Sequence, residues 1–382
     1  MQESFIDKPG RLRAFVEAVS ASAWLAVDTE FLRERTYFPR LCLIQVAGAE
    51  HAACIDPLAI EDLSPLRKLL LDPAVTKVFH AARQDLEIFL RLWGELPAPL
   101  FDTQPAAALL GIGDQIGYGA LVKAVLGVEL PKDHSRTDWS KRPLERAQRR
   151  YALDDVIHLG RAYTRMREKL QELGRLEWLE SEFRSLTDPA TYALEPMEMW
   201  KRVKGRQHLK GVRLAALQQL AAWREEEALA RDLPRRWVLK DDVLLELARR
   251  SPADLEELAR VRGVDRPLLQ RHGETLLRRI RRARELPREQ WPREKPRPAR
   301  SSAAQEAALD ILGGALRLIA DEAGLSPQLI ASRKDLAALL HEDPGARLLH
   351  GWRRQLAGEP LLKLLRGKGR ILLCDGVPEI EF

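Results

Sequence analysis

Three short stretches of the chain carry carboxylates, one of them beside a tyrosine, whose types and spacing could hold a cation. Asp28-Thr29-Glu30 closes the apolar run Trp24-Leu25-Ala26-Val27, which reads as a strand. Side chains alternate along a strand, so Asp28 and Glu30 project to one side and Thr29 to the other. Two carboxylates on one sheet face repel each other and are costly unless a cation lies between them. Asp85 follows His80-Ala81-Ala82-Arg83-Gln84, and helical spacing puts it in line with Ala81 and Phe89, at the margin of an apolar stripe. Tyr151 and Asp155 are four apart, in the row Ala147, Tyr151, Asp155, Leu159. Asp154 instead faces Arg150 and Arg161, as a surface ion-pair acid would. Each stretch has a structural alternative when taken alone. These are solvated loop acids for Asp28 and Glu30, helix-start electrostatics for Asp85, and a core hydrogen bond for Tyr151 with Asp155.

The elements that must position these residues alternate between strand and helix in the first half. Residues 24–27, 41–46 and 52–55 are three close-set strands whose links are too short for crossover helices, so they are antiparallel neighbours. A helix over 63–71, a strand over 75–79, a helix over about 81–93 and a strand over 100–102 follow. The order gives a mixed α/β sheet flanked by helices over residues 1–190. From about Leu144 onward the pattern reads as helix throughout. Residues 208–288 and 302–372 look like two copies of one helical bundle at an offset of 92, with Leu233 on Leu325, Val238 on Ile330 and Leu244 on Leu336. Between them, residues 289–301 are rich in proline and charge and read as an extended linker.

The chain has 382 residues, enough for two or three cores. Cys42, Cys54 and Cys374 are odd in number and lack C-x-x-C spacing, which argues against a disulfide framework and a zinc site and fits a cytoplasmic location. No apolar run approaches a membrane span, and the start lacks the basic-then-apolar pattern of a secretory signal. The net charge is +6, yet residues 206–300 alone carry +9, a local field that draws polyanions.

In order and spacing, Asp28 and Glu30, then Asp85 in His-Ala-Ala-Arg-Gln-Asp, then Tyr151 and Asp155 as Tyr-x-x-x-Asp, resemble the ribonuclease D family. That family belongs to the DEDD exonuclease superfamily, which has a ribonuclease H-like fold. Arg150 stands where the histidine branch of the superfamily carries its histidine, so the chain is similar to the tyrosine branch. Arg136-Thr137-Asp138-Trp139-Ser140-Lys141-Arg142-Pro143-Leu144 also resembles the family, and the two helical bundles resemble HRDC modules. The likeness covers about the first 190 residues and the first bundle most closely.

The resemblance implies a 3′→5′ exoribonuclease that trims structured RNA such as precursor tRNA and releases 5′-mononucleotides. Asp28, Glu30, Asp85 and Asp155 would hold two Mg²⁺ or Mn²⁺ ions, with Tyr151 orienting the attacking water. It also implies substrate contact by Arg136, Trp139 and Arg142. Arg278, Arg279, Arg281 and Arg282, on a helix whose other edge carries Leu276, Leu277 and Ile280, would meet phosphates. Trp223 and Trp237 could stack on bases, although tryptophans at helical spacing are more often core. A monomer is expected. Two alternatives are a DNA exonuclease of the same fold and an inactive RNA-binding scaffold. The absence of a polymerase body or P-loop speaks against the first, and the complete acid set against the second.

Overall fold

Six strands form one sheet in the order β1-β4-β3-β2-β5-β6: β1 (Gln2–Ile6), β2 (Trp24–Leu32), β3 (Arg40–Ala47), β4 (His51–Ile55), β5 (Thr76–Phe79) and β6 (Leu100–Asp102). The computed structural model that shows this describes residues 1–131, 137–294 and 302–381. β3 and β4 pair antiparallel, while β2 with β5 and β5 with β6 pair parallel, so the sheet is mixed as expected. β1 was not legible: its residues Gln2, Glu3 and Ser4 are polar, and it becomes an edge strand by pairing parallel with β4.

One sheet face is packed by α1 (Pro9–Val19), α2 (Ser64–Leu70) and α3 (Arg83–Trp93). Leu25, Val27, Ile44 and Val46 meet Phe15, Leu66, Leu86 and Phe89 there. Side-chain alternation turns Ala26, Asp28 and Glu30 to the opposite face. That face receives α6 (Arg146–Glu172), after α4 (Thr103–Leu109) and α5 (Tyr118–Leu126), and the short α7 (Glu180–Leu186) follows. Gly160 lets α6 come close, because a Cβ there would lie 2.4 Å from the Trp24 ring. The helix is started by a capping box between Glu145 and Gln148.

The chain divides into two compact units, one with Met1–Glu30, Leu41–Tyr192 and the segment after the linker, the other with Phe31–Arg40 and the residues from Ala193 to the linker. In the second unit, α8 (Val212–Ala230) is the central helix, surrounded by α9 (Arg235–Val238), α10 (Asp241–Arg250), α11 (Leu255–Ala259) and α12 (Arg266–Glu285). Leu217, Leu220, Trp223, Leu244, Leu276 and Ile280 form its core. Buried Glu225 accepts hydrogen bonds from Tyr37 and Arg235, whose guanidinium lies 4.9 Å over the Tyr37 ring. At the start of the expected linker, Trp291 packs against this unit's core and donates to the Leu286 carbonyl, and Glu294 pairs with Arg206 at 2.7 Å.

The third helical part contains α13 (Ala303–Glu322), α14 (Pro327–Ile330) and α15 (Arg333–Leu340), and then a short α16 (Gly351–Arg353) and α17 (Glu359–Leu365). α8 ends at Ala230 and α13 at Glu322, α9 starts at Arg235 and α14 at Pro327, and α10 starts at Asp241 and α15 at Arg333. Each step is the sequence offset of 92. Beyond α15 the parallel ends. The segment finishes in a hairpin, β7 (Arg370–Cys374) with β8 (Val377–Glu381), where an all-helical reading was expected. Asp375 and Gly376 turn it with positive φ at both positions, and the Asp-Gly pair is a hairpin signal the helical reading passed over.

This part packs within the same unit as the sheet. Trp352 stacks on Trp178 at 4.7 Å, and Arg353 pairs with Glu182 at 3.0 Å. Gly111 approaches the Gly324 carbonyl so closely that a Cβ would sit 2.3 Å from its oxygen.

Candidate active site

Asp28 and Glu30 leave the end of β2 on the face covered by α6, and Asp155 comes down from α6 to meet them. One oxygen from each of the three lies within 4.8 Å of the others. At that separation two full charges repel by roughly 3 kcal/mol with an effective dielectric near about 20. Burial pushes the Asp28 carboxyl up to about 6. Burial, then the charges of Asp28, Asp155 and Asp85, raise Glu30 to about 9, and burial with the charge of Asp28 raises Asp155 to about 8. The three cannot all be ionised near neutral pH unless a cation joins them.

Asp85 is not one of these three and lies toward the other sheet face. It lies in the first turn of α3, buried, and accepts a hydrogen bond of 2.5 Å from the Thr29 hydroxyl. Period-2 alternation explains this: Thr29 faces α3, while its neighbours Asp28 and Glu30 face α6. Burial and the charge of Asp28 raise the Asp85 carboxyl.

Tyr151 shares a hydrogen bond with the Asp155 carboxylate, four residues along α6. Burial and the surrounding acids push its phenol above the ordinary range. Asp154 is turned away. Arg150 holds it, and also grips Glu3 at 2.8 Å. Helix-face spacing thus separates the two adjacent acids.

Trp139 and Arg142, two contacts expected from family likeness, are both held in the loop before α6. Trp139 is 2% exposed, with its ring 6.2 Å from that of Tyr151. Arg142 has five N–H donors, and all are in use: Asp56 takes two, and the carbonyls of Cys42, Trp139 and Lys141 take the rest. Both residues anchor the loop before α6. Arg136 lies outside the described residues. On α12, Arg278, Arg281 and Arg282 are exposed, while Arg279 is drawn to Glu226. Trp223 is core, and Trp237 stands 61% exposed.

The sequence reading missed Tyr118, whose hydroxyl donates to the backbone carbonyl of Asp155. With Gly117, Gly119, Lys123, Leu130 and Tyr151 it lines a cleft of about 740 Å³ that opens onto Asp155. It also missed His80. Its Nδ1 lies 2.9 Å from Thr103 Oγ1 and its Nε2 3.1 Å from the Ile116 carbonyl, and burial lowers the imidazole to about 4. A histidine held at both ring nitrogens braces the turn before α3 here. Nothing in the local pattern marked either residue, because their partners lie 23 to 37 positions away.

Hard oxygen donors, partial burial and mutual repulsion together suit divalent cations such as Mg²⁺ or Mn²⁺. A mixed sheet with an acidic pair at the end of an inner strand, a third acid on α3 and a Tyr-x-x-x-Asp on α6 defines a 3′→5′ exonuclease of the kind that generally uses divalent metals. The comparisons agree. Residues 4–171 match the 3′-5′ exonuclease family and residues 213–280 the HRDC domain. The chain is 44% identical to ribonuclease D of Granulibacter bethesdensis, covering 98% of this chain and 94% of that one. It is 45% identical to ribonuclease D of Gluconacetobacter diazotrophicus over 96% of this chain and 93% of the other. The crystal structure of Escherichia coli RNase D, an exoribonuclease involved in structured RNA processing, superposes with a TM-score of 0.82 at 35% identity, covering 96% of this chain and 99% of that one. The chain belongs to the ribonuclease D family and is a 3′→5′ exoribonuclease.

Proposed function

We propose that Asp28, Glu30, Asp85 and Asp155 would hold two Mg²⁺ or Mn²⁺ ions. Bound there, the ions supply charge that activates a water and stabilises a leaving 3′ oxygen. The observation that carries the reading is the trio of carboxylates within 4.8 Å, joined to Tyr151 through Asp155. The cleft beside Asp155 receives the 3′-terminal nucleotide, and Gly117 and Gly119 leave room for its sugar-phosphate backbone. Tyr151 keeps its proton, because burial and the neighbouring acids raise its phenol. Its hydroxyl therefore orients the attacking water by hydrogen bonding and does not act as the base. Water adds to the terminal phosphorus, the bond from phosphorus to the upstream 3′ oxygen breaks, and a 5′-mononucleotide leaves.

The substrates are 3′ extensions of structured RNA such as precursor tRNA, acted on by a monomer in the cytoplasm. Residues 1–190 form the exonuclease domain, with 208–288 and 302–372 as two HRDC-like modules. Arg278, Arg281 and Arg282 on α12 meet phosphates, and exposed Trp237 stacks on a base. The basic excess of the middle segment supports this grip.

The test uses 3′-extended precursor tRNA with Mg²⁺ or Mn²⁺. The wild-type protein shortens it one nucleotide at a time, and chelator stops it. Asp155→Asn lowers turnover by about 100-fold or more, whereas Asp154→Asn stays near wild type. Undiminished degradation in chelator, or the reverse order of the two variants, contradicts the reading.

A further inference from the structure

The helix that carries Asp85 has no cap of its own. The residue before α3 is Ala82, which makes no side-chain capping bond, and Ala81 before it has φ +57, a conformation that side-chain-bearing residues rarely adopt. Backbone N–H groups at such a turn, where Ala82 is buried, need partners. They find them on Asp102, at the end of β6. Its Oδ1 accepts from Ala81 N at 2.9 Å and its Oδ2 from Ala82 N at 2.8 Å. Oδ1 also accepts from Gln104 N at 2.9 Å, which caps α4. Parallel register sets Phe79 beside Asp102, so the end of β6 lies next to the turn that leaves β5. Thr103 adds a bond to the Phe79 carbonyl at 3.0 Å and the contact to His80. Asp102 is buried, lies outside the acidic motifs, and has no part in the proposed chemistry.

We propose that Asp102 is a positioning residue for Asp85. One carboxylate holds a left-handed turn in place, and that turn fixes where the first turn of α3 sets Asp85 against Thr29. Both oxygens are needed as acceptors, because the two N–H groups arrive from consecutive residues. An amide in the same place offers one acceptor and sets its own N–H₂ against an N–H donor, so Asp102→Asn loosens the turn while keeping the side chain's shape. Asp85 then shifts from the place where it would hold its ion. The effect belongs to turnover and ion binding, not to grip on RNA, since Asp102 does not line the cleft.

This inference rests on the reading of Asp85 as an ion ligand, so Asp85→Asn is measured alongside. The full-length protein, Asp102→Asn, Asp102→Ala and Asp85→Asn are titrated with Mn²⁺ by electron paramagnetic resonance. Their kcat and KM are measured on a short single-stranded RNA below all thermal midpoints. For Asp102→Asn, kcat falls and Mn²⁺ binding weakens, each by about 10- to 100-fold, with KM within about twofold. Asp102→Ala follows the same pattern or fails to fold, and in the second case Asp102→Asn decides. A lowered thermal midpoint with wild-type kcat and Mn²⁺ binding overturns the proposal and leaves Asp102 a stabilising residue only. If Asp85→Asn itself leaves Mn²⁺ binding and turnover unchanged, the reading of the site fails first.

Discussion

The acidic residues explain one another. Without a cation, folding forces Glu30 and Asp155 to keep protons that they release readily in the unfolded chain, where carboxyls titrate near about 4. The folded state therefore binds more protons than the unfolded state between that value and about 9. Stability of the metal-free protein then falls as pH rises through this window. A bound divalent cation takes the place of those protons. The rise in thermal midpoint on adding saturating Mg²⁺ should accordingly be larger at pH 9 than at pH 6, by a few degrees, since each pKa unit is worth about 1.4 kcal/mol. Thermal melts at both values check this, and a Mg²⁺ effect that does not grow with pH would sink it. At this scale the choice of Asp155 over Asp154 was legible, because helix spacing alone sorts the apolar row from the charged one. Trp139 and Arg142 were not legible as loop anchors. Their roles depend on Tyr151 and on Asp56, and Asp56 stands 86 positions from Arg142.

The elements succeed where their patterns are strong and fail where pairing supplies the structure. Strands and helices with clear apolar periods, such as β3 and α3, fall close to their expected bounds, whereas β1 owes its form to β4. The sheet face that carries Asp28 and Glu30 becomes a site only because α6 can lie close against it, and Gly160 permits that approach. Gly160→Ala sets a Cβ against the Trp24 ring, which is itself packed on Tyr163 at 5.6 Å. The helix must move, and with it Asp155 and Tyr151 little more than a turn and two turns away. Turnover should fall by about 10-fold or more, since small misplacements of reacting groups are costly. Gly313→Ala in α13, where a Cβ meets nothing within 4 Å, should leave turnover unchanged and serves as the control in the same assay. Wild-type turnover in Gly160→Ala would show that the closeness of α6 does not matter to the reaction.

In the whole molecule, the repeat read from three leucine and isoleucine matches extends to element ends, with α13 to α15 following α8 to α10 at the same offset. What the sequence could not give was the grouping. The third helical part folds into one unit with the sheet, through Trp178 and Trp352 and through Arg353 and Glu182, and single side chains of that kind leave no periodic signal. The middle helical unit keeps the basic excess and the exposed arginines of α12. The chemistry proposed here rests on four acids drawn from β2, α3 and α6, and everything proposed for the chain depends on their holding ions together. Crystals of the protein grown with Mn²⁺ and a 5′-mononucleotide would show this by anomalous scattering. Two peaks roughly 3.5–4 Å apart, enclosed by Asp28, Glu30, Asp85 and Asp155 and touching the nucleotide phosphate, are the expected result. Ordered nucleotide in the cleft with no anomalous peak at these carboxylates would contradict it.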